Sequence, residues 1–284
     1  MRLLLTKHNL GRFAAYYIYK KIKEYDPSES NPFVLCLPTG STPLDMFAEL
    51  IKLNKQKLIS FKHVVTFNLD EYVGLAEDHP ESFHHYMKTH FFDHIDINPA
   101  NINILNGNAT YLDYECTVYE EKIAAFGGID LLIGGVGEDG HIAFNEPGSS
   151  LNSVTRVKTL NHSTILANSR FFENNINKTP NTALTMGVRT ILEAKDVVIL
   201  ANGISKSRAI AEVIEGGISS MCPITALQMH NRALILCDEF AAFDLKLRTI
   251  RYFENLNDEY NILEKELSTI GTVIPEPHFS DNML

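Results

Sequence analysis

Asp139, His141 and Glu146 sit close together behind an unusual density of glycine. Gly134, Gly135, Gly137 and Gly140 interrupt the end of an apolar run that begins at Asp130. Glycine adopts positive φ and lets backbone approach a ligand, so this cluster reads as a shaped site at the end of a buried strand. In the turn that follows, an acid, an imidazole and a second acid are spaced to converge on one ring. Carboxylates flanking it would orient the imidazole and favour its protonated form, as an acid–base group requires.

Three further groups fit the same kind of site. Pro38, Thr39, Gly40, Ser41, Thr42 and Pro43 follow the apolar run 33–37 and lead into a helical pattern at 44–53. Thr42 suits the N-cap, Pro43 the first turn, and Asp45 a capping box. The free N–H groups at such a helix start favour an anion, and small hydroxylated residues there suit phosphate. Asp70 ends the apolar run 64–69, where an acid is placed for proton transfer. Lys206 and Arg208 open a helical stretch, and cations there oppose the dipole unless an anion is bound. His84 and His85, inside a helical stretch at 81–92, read as surface or packing residues, and no metal site is expected.

The elements that must position these groups show as periodicity. Leu10, Phe13, Ala14, Tyr17, Ile18 and Ile22 recur at helical steps, and similar patterns occupy 112–126, 205–215 and 242–256. Short apolar runs at 1–5, 33–37, 64–69, 130–133, 196–201 and 233–237 read as strands, with further short ones at 102–105 and 154–160. Their alternation with helices predicts an α/β fold, an open, mostly parallel, Rossmann-like sheet flanked by helices. Ligands of such sheets bind outside the strands' carboxyl ends, where the 39–42 loop, Asp70, the glycine-rich turn and Lys206 all fall. The polar, asparagine-rich stretch 161–181 is expected to form a lid over a single domain spanning 1–256. Residues 257–284 are expected to be a peripheral tail.

The chain has 284 residues, 45% of them hydrophobic, which suffices for one large core. A formal net charge of −10 argues against a nucleic-acid or membrane-surface role, though not against a local anion pocket. Cys36, Cys116, Cys222 and Cys237 are far apart and form no CxxC pair, as expected of reduced thiols in a cytoplasmic protein. No signal peptide or membrane-spanning run is evident. No cofactor is expected, because the glycine cluster lacks the helix start and following acid of a dinucleotide fold.

Three stretches carry a resemblance: Leu37-Pro38-Thr39-Gly40-Ser41-Thr42-Pro43, Phe67-Asn68-Leu69-Asp70-Glu71-Tyr72-Val73-Gly74-Leu75, and Gly137-Glu138-Asp139-Gly140-His141-Ile142-Ala143-Phe144-Asn145-Glu146-Pro147. Together they closely resemble the glucosamine-6-phosphate deaminases of the glucosamine/galactosamine-6-phosphate isomerase family, in register over about residues 1–256. The resemblance implies conversion of glucosamine 6-phosphate and water into fructose 6-phosphate and ammonia. His141 would open the pyranose ring, aided by Asp139 and Glu146, and Asp70 would move a proton between C2 and C1. Thr39, Gly40, Ser41, Thr42, Arg170 and Lys206 would hold the phosphate. Some family members are activated by N-acetylglucosamine 6-phosphate, and the matching positions are Ser149, Ser150, Arg156, Lys158 and Tyr252. Such members are commonly hexamers, so a homo-oligomer is expected. Two readings compete: another sugar-phosphate isomerase or phosphogluconolactonase on the same scaffold, and a sugar-phosphate sensor. The ordered set Asp70, Asp139, His141 and Glu146 favours the deaminase over the first. The lack of a basic N-terminal DNA-binding module disfavours the second. The chain departs from the family pattern at 218–225, at Arg189 and in having no Trp, all expected to lie away from the catalytic residues.

Overall fold

The computed structural model describes residues 1–6 and 9–256; the tail 257–284 lies outside the described residues. In chain order the strands are β1 (Arg2–Leu5), β2 (Phe33–Leu37), β3 (Val64–Asn68), β4 (Asp70–Tyr72), β5 (Ile102–Asn103), β6 (Leu131–Gly135), β7 (Arg156–Thr159), β8 (Thr182–Thr185), β9 (Asp196–Ala201) and β10 (Ala233–Cys237). The helices are α1 (Leu10–Tyr25), α2 (Leu44–Lys55), α3 (Phe83–His90), α4 (Leu112–Ala125), α5 (His162–Asn168), α6 (Val188–Leu192), α7 (Ser207–Glu215) and α8 (Leu247–Leu256).

Seven strands form one parallel sheet in the order β1-β10-β9-β6-β2-β3-β5. Its inner strands are buried on both faces, which is why they read as unbroken apolar runs. Neighbouring residues feed opposite layers. Leu35 and Leu37 pack with Phe13, Met46 and Phe47 on one side, while Val34 and Cys36 pack with Tyr119, Ile123 and Ile210 on the other. From β2 the chain steps outward through β3 and β5, then returns to place β6 on the other side of β2. The reversal leaves a crevice at the carboxyl ends of β2 and β6, the position where open α/β sheets bind ligands.

A second sheet, antiparallel in the order β4-β8-β7, has no counterpart in the sequence expectation. The run ending at Leu69 leaves the main sheet and continues directly into β4, so Asp70 belongs to a strand of its own. β7, expected from 154–160, joins this smaller sheet, and β8 lies in a segment that shows no apolar run. The polar stretch 161–181 is also more structured than its composition suggests. It contains α5, and Leu160 and Phe172 join Tyr72, Phe144 and Ala183 in a third small core. α2 starts at Leu44 without a side-chain cap, so the capping box is not made. Asp45 instead accepts from Asn9 Nδ2 at 2.9 Å. The hydroxyls around Gly40 are thereby not committed to the helix start.

Tyr119 ties α4 to the strand that delivers Asp70. Its hydroxyl accepts from Asn68 N–H at 2.9 Å and lies 2.8 Å from Asn68 O and 3.1 Å from Asn103 O. Tyr119→Phe leaves the buried Asn68 N–H without an acceptor, a loss on the order of 1–3 kcal/mol. Urea unfolding of the two proteins should show that decrease; an unchanged midpoint would mean that water takes over the bond.

Candidate active site

A cavity of about 470 Å³ opens at the carboxyl ends of β2 and β6. It gathers Thr39, Gly40, Ser41 and Thr42 from the loop after β2, Asp70 and Tyr72 from β4, His141 from the glycine-rich turn, Arg170 from the segment after α5, and Lys206 from the start of α7. Every residue expected to hold phosphate therefore lines one space with Asp70 and His141. Lys206 is half-buried; burial holds its ammonium below the usual lysine range, opposed by Glu138 and Asp139 and reinforced by Arg170. An arriving dianion would meet both cations beside an uncapped helix start.

Glycine shapes the turn that carries the imidazole. A Cβ on Gly137 would come within 2.1 Å of the His141 ring, so the imidazole lies directly over bare backbone. Gly137 N–H donates to His141 O at 2.9 Å, and Gly140, with φ +80°, donates to Gly137 O at 3.1 Å. Asp139 Oδ1 then lies 2.6 Å from His141 Nδ1 and 3.1 Å from the His141 backbone N. The bond from His141 holds the Asp139 carboxyl below the usual range. With Nδ1 engaged by a carboxylate, Nε2 is left for a ligand in the cavity.

Glu146 does not complete a pair of carboxylates around the ring. It is buried, accepts from Lys158 Nζ at 3.2 Å, Thr164 Oγ1 at 2.5 Å and Asn161 N at 3.1 Å, and does not line the cavity. The physical reason is the small sheet, which brings β7 and the start of α5 against the turn. Those elements supply one cation and two donors, enough to satisfy a buried carboxylate. Lys158 thus joins Glu146 rather than standing apart. Arg156 Nη1 similarly donates to Asn145 Oδ1 at 2.9 Å, and the buried Ser149 Oγ has no partner. Ser150 Oγ accepts from Asn152 N at 3.2 Å. Tyr252 lies exposed on α8, its ring edge-on to Phe253.

The segment 218–225 is not remote from the turn, contrary to expectation. Ile224 N–H donates to Gly140 O at 2.9 Å and Gly148 N–H to Ser220 O at 2.8 Å. A Cβ on Gly140 would meet Cys222 Sγ at 2.3 Å, so this segment backs the residue between Asp139 and His141. Arg189 does lie apart, 3.5 Å from Glu193 on α6.

Sequence reasoning missed the aromatic wall of the cavity. Tyr72, Phe83 and Tyr86 line it, with Phe144 and Phe172. Tyr86 OH donates to Gly40 O at 2.5 Å, fixing the phosphate-side loop against α3. Strand alternation could have flagged Tyr72, since residues two apart on β4 share a face with Asp70. His84, read as a packing residue, lies 2.8 Å from the buried Glu71 carboxylate. Among the described residues no cluster of three or more metal-ligating side chains occurs, and no helix is long and apolar enough to cross a membrane.

Asp70 is 8% exposed, and among the described residues no hydrogen bond supports its carboxyl. Burial first, and the neighbouring Glu71 second, push its pKa from the ordinary 3.8 up to about 8. A carboxyl poised near neutrality can both take and return a proton.

Known proteins share this architecture. Residues 6–236 match the family described as glucosamine-6-phosphate isomerases/6-phosphogluconolactonase. The chain is 54% identical to a glucosamine-6-phosphate deaminase of Parabacteroides distasonis over 262 residues, covering 92% of this chain and 97% of that protein. A Bacteroides fragilis protein of the same name is 55% identical over the same shares. A solved structure described as a monomeric glucosamine-6-phosphate deaminase superposes with TM-score 0.81 at 41% identity, covering 86% of this chain and 99% of that one. The 6-phosphogluconolactonase of Thermotoga maritima shares the fold at 19% identity, with TM-score 0.66 over 84% of this chain and 99% of that one.

The raised Asp70 pKa has a consequence for stability. Between about pH 4 and pH 8 the folded state keeps a proton on Asp70 that the unfolded chain has lost, so this group's contribution to stability falls as pH rises through that window. Asp70→Asn removes the buried charge. Calorimetry should show a melting temperature several degrees above that of the parent at about pH 9, with the gain shrinking toward about pH 4. A difference independent of pH would contradict the buried, ionising carboxyl.

Proposed function

The chain belongs to the glucosamine-6-phosphate isomerase/6-phosphogluconolactonase family, and on that premise we propose that it converts glucosamine 6-phosphate and water into fructose 6-phosphate and ammonia. One observation carries the reading: a buried carboxyl, Asp70, shares one cavity with the His141 imidazole and with the 39–42 loop, Arg170 and Lys206. A lactone hydrolase needs no base between two adjacent carbons, whereas an aldose–ketose shift does.

The 39–42 loop, Arg170 and Lys206 hold the phosphate and so fix the flexible open chain against the catalytic groups. His141 takes the proton of the anomeric hydroxyl and delivers one to the ring oxygen, which breaks the C1–O5 bond and frees the aldehyde. Asp139 holds the imidazole orientation and stabilises its charged form. Asp70, as carboxylate, removes the C2 proton; the electron pair forms the C1–C2 double bond, and the C1 carbonyl oxygen takes a proton from solvent to give an enol. The same carboxyl returns the proton to C1, leaving an iminium at C2. Water adds to that carbon, passing one proton to the nitrogen, which leaves as ammonia, and the other to solvent. Glu146 acts from outside the cavity by fixing the turn to Lys158 and the start of α5.

The finer parts of the reading are weighted by what supports them. Arg156, Lys158 and the unpartnered Ser149 surround the Asn145–Ser149 turn and form a cationic cluster suited to a phosphorylated activator such as N-acetylglucosamine 6-phosphate. Ser150 flanks that cluster, and Tyr252 stands apart from it. Assembly as a hexamer has less support, because one solved relative is monomeric. The 161–181 segment, with Arg170 and Phe172 on the cavity, is the lid of a catalytic domain spanning 1–256. A cytoplasmic location suits a metabolic deaminase of phosphorylated sugars.

Purified protein given glucosamine 6-phosphate should release equal amounts of ammonia and fructose 6-phosphate and leave 6-phosphogluconolactone unhydrolysed. His141→Gln should lower that turnover by roughly 10²-fold or more. Deuterium uptake at C1 of fructose 6-phosphate, part of which is already open-chain, should suffer less. Equal losses in both assays would reject ring opening as the role of His141.

A further inference from the structure

Glu71 follows Asp70 directly but faces the other side of β4 and does not line the cavity. It is 2% exposed and held by three backbone donors and an imidazole. Tyr72 N donates to Oε1 at 2.7 Å, Phe83 N to Oε1 at 3.1 Å and His84 N to Oε2 at 3.0 Å, and His84 Nδ1 lies 2.8 Å from Oε2. Three N–H groups directed at both oxygens favour the charged form of a carboxyl, and on that geometry Glu71 carries a negative charge. Two of those donors are first-turn N–H groups of α3, where a carboxylate also complements the dipole.

The opposite holds next door. Among the described residues no group donates to the Asp70 carboxyl, which lines the cavity. The groups facing it are Glu71 and Tyr72 on β4, the Cys36 thiol on β2, the Tyr119 phenol on α4, and His141, Arg170, Lys206 and Glu81 around the cavity. Burial raises the Cys36, Tyr72 and Tyr119 side chains, so these three are neutral neighbours. Glu71 is the charge nearest in the chain, and the titratable groups around it are Asp70, Tyr72, His84 and, beyond His84, Glu77, 3.9 Å from His84 Nε2.

We propose that Glu71, held by His84 and the first turn of α3, is a positioning residue for the reaction. It supplies the fixed negative charge against which Asp70 must ionise, and it locks β4 to the helix that walls the cavity. The same helix carries Tyr86 to the Gly40 carbonyl, so one buried carboxylate sets Asp70 on one side and braces the phosphate loop on the other. This inference rests on Asp70 being the C2 base. The adjacent charge makes that base stronger and keeps it protonated to higher pH; the enzyme gains proton affinity and gives up activity in acid.

The test is the pH profile of kcat/KM, whose acid limb reports the base of the free enzyme. Glu71→Gln keeps the shape, and His84 can turn its other tautomer toward the amide. Its acid limb should move down by about one pH unit, with a lower plateau, since a weaker base moves protons more slowly. At about pH 6 its rate relative to its own plateau should then be about tenfold that of the parent. His84→Phe leaves the charge in place with one donor fewer, so its limb should move the other way, to higher pH. Circular dichroism and thermal melts check that both variants fold. Limbs that stay put, or shifts of the opposite sign, would overturn the inference. If Asp70→Asn retained turnover across the range, the base assignment itself would fail, and that result is separable from an unmoved limb in Glu71→Gln.

Discussion

Two successive carboxylates, Asp70 and Glu71, are both withdrawn from water, and the surrounding structure exists in the form that makes this tolerable. A buried carboxylate is costly unless donors or cations meet it. Glu71 is met by three backbone N–H groups and an imidazole, which requires α3 to begin where it does and β4 to run beside it. Among the described residues no donor meets Asp70 on the cavity wall, and burial with the neighbouring Glu71 pushes its pKa up to about 8, which relieves the cost. The alternation of a strand separates the two fates, because adjacent side chains point to opposite faces.

The placement of that strand depends on the topology of the large sheet. Reversal between β2 and β6 brings the hydroxyl-rich loop and the glycine-rich turn to one edge. Leaving the main sheet after β3 carries Asp70 over that edge and pairs it with β8. The small antiparallel sheet is therefore the device that gives a generic crevice a buried carboxyl on its wall. Its third strand, β7, also brings Lys158 to Glu146 and Arg156 to Asn145. The catalytic turn and the cationic cluster behind it thus share residues through the chain itself.

The turn bearing His141 rests on glycine in two directions. Gly137 allows the ring to lie on backbone, and Gly140 allows Cys222 to press from behind. The segment 218–225 consequently backs the turn that carries the His141 imidazole. The half-buried Cys222 packs on the bare backbone of Gly140, where a side chain on residue 140 would have no room.

Local sequence determined a large part of this protein. Unbroken apolar runs identified most strands of the parallel sheet, because burial on both faces removes polar residues from them. Glycine density, hydroxyl clustering and isolated charges at run ends marked Thr39 to Thr42, Asp70, Asp139, His141 and Lys206, since each needs a local backbone state that its own neighbours encode. Three contiguous motifs were enough to suggest the family. Only the tertiary structure decided what each charge faces. β8 has no apolar run to announce it, being four residues long, and the pairing of β4 and β7 through it is a tertiary fact. Glu146 was spaced to reach His141, yet it turned to Lys158, Asn161 and Thr164, because a buried carboxylate takes the donors that folding brings within reach. His84 read as packing until Glu71, thirteen residues earlier, was placed beside it. Charge pairing is a property of space rather than of sequence distance, and for this reason the partners of Asp70, Glu71 and Glu146 appear only in the folded chain.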